Sequence, residues 1–155
     1  MPSTSTSTWY QRYILVMAFI VVTLSLMDRY VVSILVEQIK ADLELTDLQI
    51  GLLVGPAFVL VHVLTQLPLA RLADVANRRN MIAISLLMWS AFTLAAGFVK
   101  TFPMLLLTRM GVGITEAGCA PPLASLLSSY FPPENRAKAM SVFKLGGVTG
   151  IGAGM

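Results

Sequence analysis

Tyr13-Ile-Leu-Val-Met-Ala-Phe-Ile-Val-Val-Thr-Leu-Ser-Leu-Met27-Asp28-Arg29-Tyr30-Val-Val-Ser-Ile-Leu-Val36 is the stretch that decides the fold class of this chain. A helix needs roughly 20 mostly apolar residues to cross a bilayer, and this run supplies them. It also holds an acid and a base, Asp28 and Arg29, with apolar sequence on both sides. A charge at the bilayer centre costs a few kcal/mol even on the gentler insertion scales, so such residues face a cavity or a partner and mark a pathway.

The bulk composition agrees with a membrane setting. Of 155 residues, 56% are hydrophobic and 12% charged, and the mean hydropathy is +0.77. A soluble domain carries about 25% charged residues. The net charge of +3 and pI near 9.3 do not point to nucleic acid, because the bases sit beside apolar runs in the juxtamembrane pattern. Cys119 is the one cysteine, which leaves no internal disulfide and no cysteine-based metal site. Neither metal-ligand spacing nor a serine–histidine or paired-aspartate pattern is present, so the sequence offers no enzyme chemistry, no metal site and no cofactor.

Outward from the first span (13–36), further apolar runs predict helices at about 50–70, 81–99, 104–131 and 137–155. The fourth is interrupted by Arg109, Glu116 and Pro121-Pro122, and the prolines should bend it. The fifth is glycine-rich and still apolar at Met155, as in a truncated sequence. Residues 1–12 read as a disordered Ser/Thr-rich tail. The run that follows is too long for a secretory signal and lacks a small-residue cleavage site. Arg12, Arg71, Arg78, Arg79, Arg136 and Lys138 fall on one side of these spans, and only Lys40 and Lys100 on the other. The richer side should be cytoplasmic, with the acidic connection Glu37, Asp42, Glu44 and Asp47 facing out.

Asp28, Arg29, Arg109 and Glu116 lie deep inside spans. At 1.5 Å per residue, Glu116 is about 20 Å and Arg109 about 9 Å from the outer end of the fourth helix, and Asp28 and Arg29 are roughly 10–17 Å from that side. All four are expected in one slab near the midplane. Arg109 and Glu116 are two turns apart and share a helix face with Gly113; Asp28 and Arg29 differ by about 100° around theirs. A carboxyl in such a place is protonated or ionised according to whether a cation is near, which couples proton affinity to conformation. The competing reading is static ion pairing between helices one and four. His62, mid-span on the second helix, either relays protons or lines a cavity, or is an imidazole bonded to a neighbouring helix. Lys144 reads as a snorkelling lysine. Asp28-Arg29-Tyr30 also spells a rhodopsin-like receptor tripeptide, but its place inside the first helix excludes that reading.

The connection Ala70-Arg71-Leu72-Ala73-Asp74-Val75-Ala76-Asn77-Arg78-Arg79 resembles the cytoplasmic signature of the major facilitator superfamily, through Asp74, Arg78 and Arg79. Ala70 and Asn77 stand where that signature has glycines, the latter because asparagine tolerates a left-handed turn. Val75 replaces a base. Arg109-Met-Gly-Val-Gly113-Ile-Thr-Glu116-Ala-Gly118-Cys-Ala-Pro-Pro122, the closing Tyr130-Phe-Pro-Pro-Glu-Asn-Arg136-Ala-Lys-Ala139 and Asp28-Arg29 together resemble the bacterial Spinster-like branch.

The resemblance implies an all-α membrane protein: the first four to five transmembrane helices of the N-terminal six-helix bundle of that fold. It implies Asp28 and Glu116 as proton-coupling acids, and Arg29 and Arg109 as their charge partners or as contacts for a substrate anion. Asp74, Arg78, Arg79 and Arg136 would form a cytoplasmic gate. Gly146, Gly150 and Gly154 are spaced to let another helix approach closely; in the family this helix packs against the opposite half.

The implied function is proton-coupled transport, by alternating access, of a lysolipid-like or organic-acid substrate. The implied partners are protons, the lipid bilayer (a bacterial inner membrane, N-terminus cytoplasmic) and a missing C-terminal half. The alternative is a non-transporting helical interaction subunit.

Overall fold

A computed structural model describes Thr8–Gly154. Among these residues the chain is all helix and turn: α1 (Thr8–Ile34), α2 (Val36–Asp42), α3 (Asp47–Val54), α4 (Pro56–Val75), α5 (Arg78–Ala96), α6 (Phe102–Ala117), α7 (Ala120–Tyr130) and α8 (Pro133–Gly154). They divide into two compact units, one holding the chain up to Tyr30 and from Leu123 onward, the other Val31–Pro122.

The helix bounds depart from the sequence expectation at several places, each with a local cause. α1 starts at Thr8, so Thr8–Arg12 are helical, while the Ser/Thr run before Thr8 lies outside the described residues. Aromatic residues secure this start. Trp9 stacks on Tyr13, with ring centroids 6.1 Å apart, and Tyr10 meets the edge of Tyr130 at 5.3 Å. Gln11 Nε2 donates to the Tyr130 carbonyl at 2.8 Å.

The acidic connection after the first span is mostly helix. α2 ends in a Schellman-type closure, with Leu45 N–H reaching the Lys40 carbonyl at 3.0 Å. Glu44 takes the left-handed conformation there (φ 51°) that such caps require. Thr46 then opens α3 with a capping box shared with Gln49.

Gly55 interrupts the second span, and Pro56 begins α4, where the N–H it lacks is one of the donors that a helix start leaves unpaired. The fourth span breaks at Gly118-Cys119 into α6 and α7. Pro121-Pro122 lie inside the first turn of α7, so the break falls just before them. Both prolines then sit where a helix tolerates a lost donor.

Among the described residues, three helical segments are long and apolar enough to cross a membrane: Thr8–Ile34, Asp47–Val75 and Arg78–Ala96. The sequence predicted five. The break leaves α6 with 16 residues and α7 with 11, each too short alone. α8 has 22 residues, but lysines and glycines dilute its apolar content. Large apolar side chains are exposed along the long helices, among them Val16, Ile20, Leu24, Leu60, Leu64, Leu67, Leu87 and Leu94.

In the unit holding α1, the core is a stripe at helical spacing, Ile14, Ala18 and Val21, together with Leu123 and Leu127 of α7 and Ala139 and Phe143 of α8, all buried. Glycines bring α8 onto α1. A methyl at Gly146 would lie 2.7 Å from the Phe19 carbonyl oxygen, and one at Gly150 would overlap the Thr23 carbonyl. Thr23 Oγ1 is 3.0 Å from the Gly146 carbonyl and 3.2 Å from Thr149 Oγ1. α1 therefore comes close to α8 at Gly146 and Gly150. Gly152 has open space around it, and the surroundings of Gly154 are outside the described residues.

In the other unit α6 is packed on both sides. Gly111 lies against the Phe92 ring of α5, Gly113 against Phe58 of α4, and Gly118 against Ser85 of α5. Leu45, Leu53 and Leu105 form a cluster where α3 and α6 meet, closed by Ile39, Leu43, Ile50, Val99, Phe102 and Leu106.

Candidate functional site

The seam between α4 and α6 gathers most of the ionisable residues that the sequence places mid-span. Glu116 is buried, at 3% exposure, and Arg109 is half-buried two turns earlier on the same helix. Gly113 lies between them. Its missing side chain lets α4 come close, since a Cβ there would meet the Phe58 carbonyl oxygen at 3.3 Å and the Phe58 ring at 3.4 Å. That approach brings His62 onto α6, where its Nδ1 lies 3.1 Å from the Gly113 carbonyl oxygen. Phe58, one turn earlier on α4, stacks on the imidazole with centroids 5.5 Å apart and planes 18° from parallel. An acid, a base and an imidazole thus lie on adjoining turns of two packed helices.

The seam lies halfway along the long apolar segment. His62 is 15 residues from the start and 13 from the end of Asp47–Val75, about 22 Å and 20 Å along the axis. That is the middle of this segment. The sequence left open whether His62 bonds a neighbouring helix or lines a cavity; the bond to Gly113 is present.

Asp28 and Arg29 are half-buried on α1 and belong to the other unit. Arg136, exposed in the first turn of α8, belongs there too. Of the residues expected at a cytoplasmic gate, Asp74 is exposed near the end of α4, and Arg78 and Arg79 open α5. Asn77 between them is not left-handed. Its φ is −69°, and its side chain caps α5 by accepting from the Arg79 and Asn80 amides at 3.1 and 3.3 Å. A helix N-cap, rather than a glycine-like turn, explains asparagine at this place. Lys144 is exposed.

Phe58 and Ser85 were not singled out from sequence. Nothing in a single chain reveals them, because their roles depend on the register in which α4 and α5 meet the glycines of α6.

A family model described as Major Facilitator Superfamily matches residues 18–155. An "MFS-type efflux pump" of Mycolicibacterium smegmatis is 36% identical over 123 residues, which are 79% of this chain and 29% of the relative. A Pseudomonas putida protein named "Probable galactarate/D-glucarate transporter GudP" is 34% identical over 139 residues, 85% of this chain and 30% of its own length. Among solved structures, a bacterial homolog to the human lysosomal transporter Spinster, in an inward-facing and unoccupied conformation, superposes with a TM-score of 0.90 at 38% identity. It covers 94% of this chain, which covers 30% of that structure. The chain therefore spans under a third of the length of the relatives it matches.

Proposed function

Since the chain belongs to the Major Facilitator Superfamily, whose members are multi-pass integral membrane proteins, we propose that it works as part of a proton-coupled secondary transporter for an anionic or amphiphilic small molecule. The observation that carries this reading is Glu116, a carboxyl buried at mid-span on the same face of α6 as Arg109, with an imidazole on the adjoining turn of α4. A carboxyl in that position is stable as an anion beside a cation and as a neutral acid away from one. A conformational change that alters the arginine's approach therefore takes up or releases a proton, and an imposed proton gradient biases the conformational equilibrium in return.

Asp28, with Arg29 beside it on α1, is the second acid of this scheme. Arg109 and Arg29 are the groups suited to an acidic headgroup. Guanidinium binds carboxylate through paired, parallel hydrogen bonds, which fits a sugar acid as well as an acidic amphiphile. The name of one relative, "Probable galactarate/D-glucarate transporter GudP", supports the organic-acid part of that class.

Asp74, Arg78, Arg79 and Arg136 form the cytoplasmic gate in this reading. Charge pairs made in one conformation and broken in the other set the balance of alternating access. The basic residues around these connections support a cytoplasmic N-terminus in a bacterial inner membrane. The test is flux in proteoliposomes of the full-length protein with a pH-sensitive dye inside. Addition of a sugar acid or a lysolipid should move protons together with substrate. Substrate movement with no proton flux at any gradient contradicts the coupling.

A further inference from the structure

The start of α1 carries a cluster of rings that no transport step uses. Trp9 stacks on Tyr13 at 6.1 Å, Tyr10 lies 6.4 Å from Tyr13, and Tyr10 meets the edge of Tyr130 at 5.3 Å. Gln11 Nε2 fastens the same turn to the Tyr130 carbonyl. Four rings are thus held together where α1 begins and α7 ends. They are not core: Trp9 is 75% exposed, Tyr13 50% and Tyr10 39%.

The exposed face of α1 changes character just beyond them. From Ile14 to Tyr30 its exposed residues are Val16, Met17, Ile20 and Leu24, all apolar. Trp9, Tyr13, Val16, Ile20 and Leu24 recur every three or four residues and so form one stripe along the helix. Rings with a polar edge therefore stand at the foot of a bare apolar strip. That order of side chains suits a helix leaving a bilayer, where tyrosine and tryptophan settle at the level of the headgroups.

Bases lie at the same level. Phe19 lies against Gly146 and Thr23 against Gly150, so α1 and α8 run parallel and in step. Carried back along both helices, this register sets Trp9 level with Arg136, Gln11 with Lys138 and Arg12 with Ala139. At 1.5 Å per residue, Arg12, Arg136 and Lys138 then fall within about 5 Å of one level along the helix axes. All three are exposed. Among the described residues of this unit the acids are Asp28 and Glu134, and only Glu134 lies on these turns. A soluble anion would answer the bases and leave the apolar strip bare. An uncharged lipid would cover the strip and leave the bases unanswered. A lipid with an anionic headgroup satisfies both.

We propose that the start of α1 and the α7–α8 corner form a contact surface for anionic phospholipid. Arg12 and Lys138 engage lipid phosphates, the rings sit at the level of the glycerol, and acyl chains lie along Val16, Ile20 and Leu24. Arg136 adds charge at the same level, whatever its part in the gate. This surface depends on the membrane setting of the family and not on proton coupling, so failure of the flux test leaves it standing.

The test uses the full-length protein in phosphatidylcholine vesicles. A minor fraction of the lipid carries bromine on its acyl chains, which quenches tryptophan emission, and is either phosphatidylglycerol or phosphatidylcholine. Subtracting the emission of Trp9→Phe isolates the signal of Trp9. The expected result is quenching by both lipids, with brominated phosphatidylglycerol acting at a several-fold lower fraction. In Arg12→Gln/Lys138→Gln that preference should shrink about fivefold for each base removed. The charge-keeping pair Arg12→Lys/Lys138→Arg should retain it. Equal quenching by the two lipids in the wild type, no quenching by either, or an unchanged preference in Arg12→Gln/Lys138→Gln overturns the proposal. So does loss of the preference in the charge-keeping pair. Inorganic phosphate that abolishes the preference at constant ionic strength assigns the bases to a soluble anion, and overturns it as well.

Discussion

Replacing Gly146 with alanine tests the α1–α8 seam in a way that can be worked out from distances. The added methyl would lie 2.7 Å from the Phe19 carbonyl oxygen, against 3.4 Å or more in ordinary contact. The obstacle is backbone, so the two helices must part by about 0.7 Å. The Thr23 Oγ1 to Gly146 carbonyl bond is 3.0 Å long. It would stretch to about 3.7 Å, which is no longer a hydrogen bond. Overpacking costs about 1–3 kcal/mol, and an interhelical bond of this kind in a membrane about 0.6 kcal/mol. Alanine returns up to about 1 kcal/mol of helix propensity. The net expectation is destabilisation by roughly 1–3 kcal/mol.

Gly152→Ala is the matched control, because nothing lies within 4 Å of its missing side chain. It should be neutral or mildly stabilising. The assay is reversible unfolding of the detergent-solubilised full-length protein by denaturing detergent, with Thr23→Val measured alongside to isolate the bond. Equal stability of Gly146→Ala and Gly152→Ala would refute the claim that α8 rests on the α1 backbone through Gly146.

Further expectations follow from local features. Asn77→Ala should cost about 1 kcal/mol by removing the cap on α5, and Asn77→Gly only a few tenths; the same unfolding assay distinguishes them, and a larger loss for glycine contradicts the capping role. Lys40 is paired with Asp47 across the α2–α3 turn. The hydrogen bond to that carboxylate and its charge hold the Lys40 ammonium above its ordinary value of 10.5. The folded-state value is the raised one. The pair's small contribution is thus fully present below about pH 10.5 and is lost as pH rises past the shifted value. The stability difference between wild type and Lys40→Met should therefore be flat from pH 6 to 9 and shrink in stronger alkali. A difference that grows with alkali contradicts the pairing.

The fold class was legible because lipid imposes a simple demand. Runs such as Tyr13–Val36 and Met81–Val99 had to be helices, since an apolar environment leaves backbone groups only one another as partners. Helix ends were less legible. Thr8 begins a helix because Trp9 and Tyr10 find aromatic neighbours, one of them Tyr130, far away in sequence. α2 is a short polar helix with no apolar period to announce it. Pro121-Pro122 signalled an interruption in the right region, but the chain turns at Gly118-Cys119 so that both prolines fall in a first turn.

The candidate site was legible in part. Glu116 and Arg109 stood out because charges are rare in such sequence, and their spacing put them on one face of a helix that the structure describes as continuous to Ala117. The bond from His62 to Gly113 depends on how far α4 slides along α6, and on Phe58 fitting against a glycine. No one-dimensional pattern carries that register. Asn77 shows the converse case, where the residue was noticed but a cap, not a left-handed turn, is its physical reason.

The central claim is that Glu116 carries charge in and out of a proton-coupled cycle. The most direct measurement is the flux of a sugar acid or a lysolipid through full-length Glu116→Gln in proteoliposomes, with and without a pH gradient. Glutamine mimics the protonated acid, so substrate exchange at equal pH should persist while gradient-driven accumulation is lost. Accumulation at the wild-type level in that variant would contradict the account.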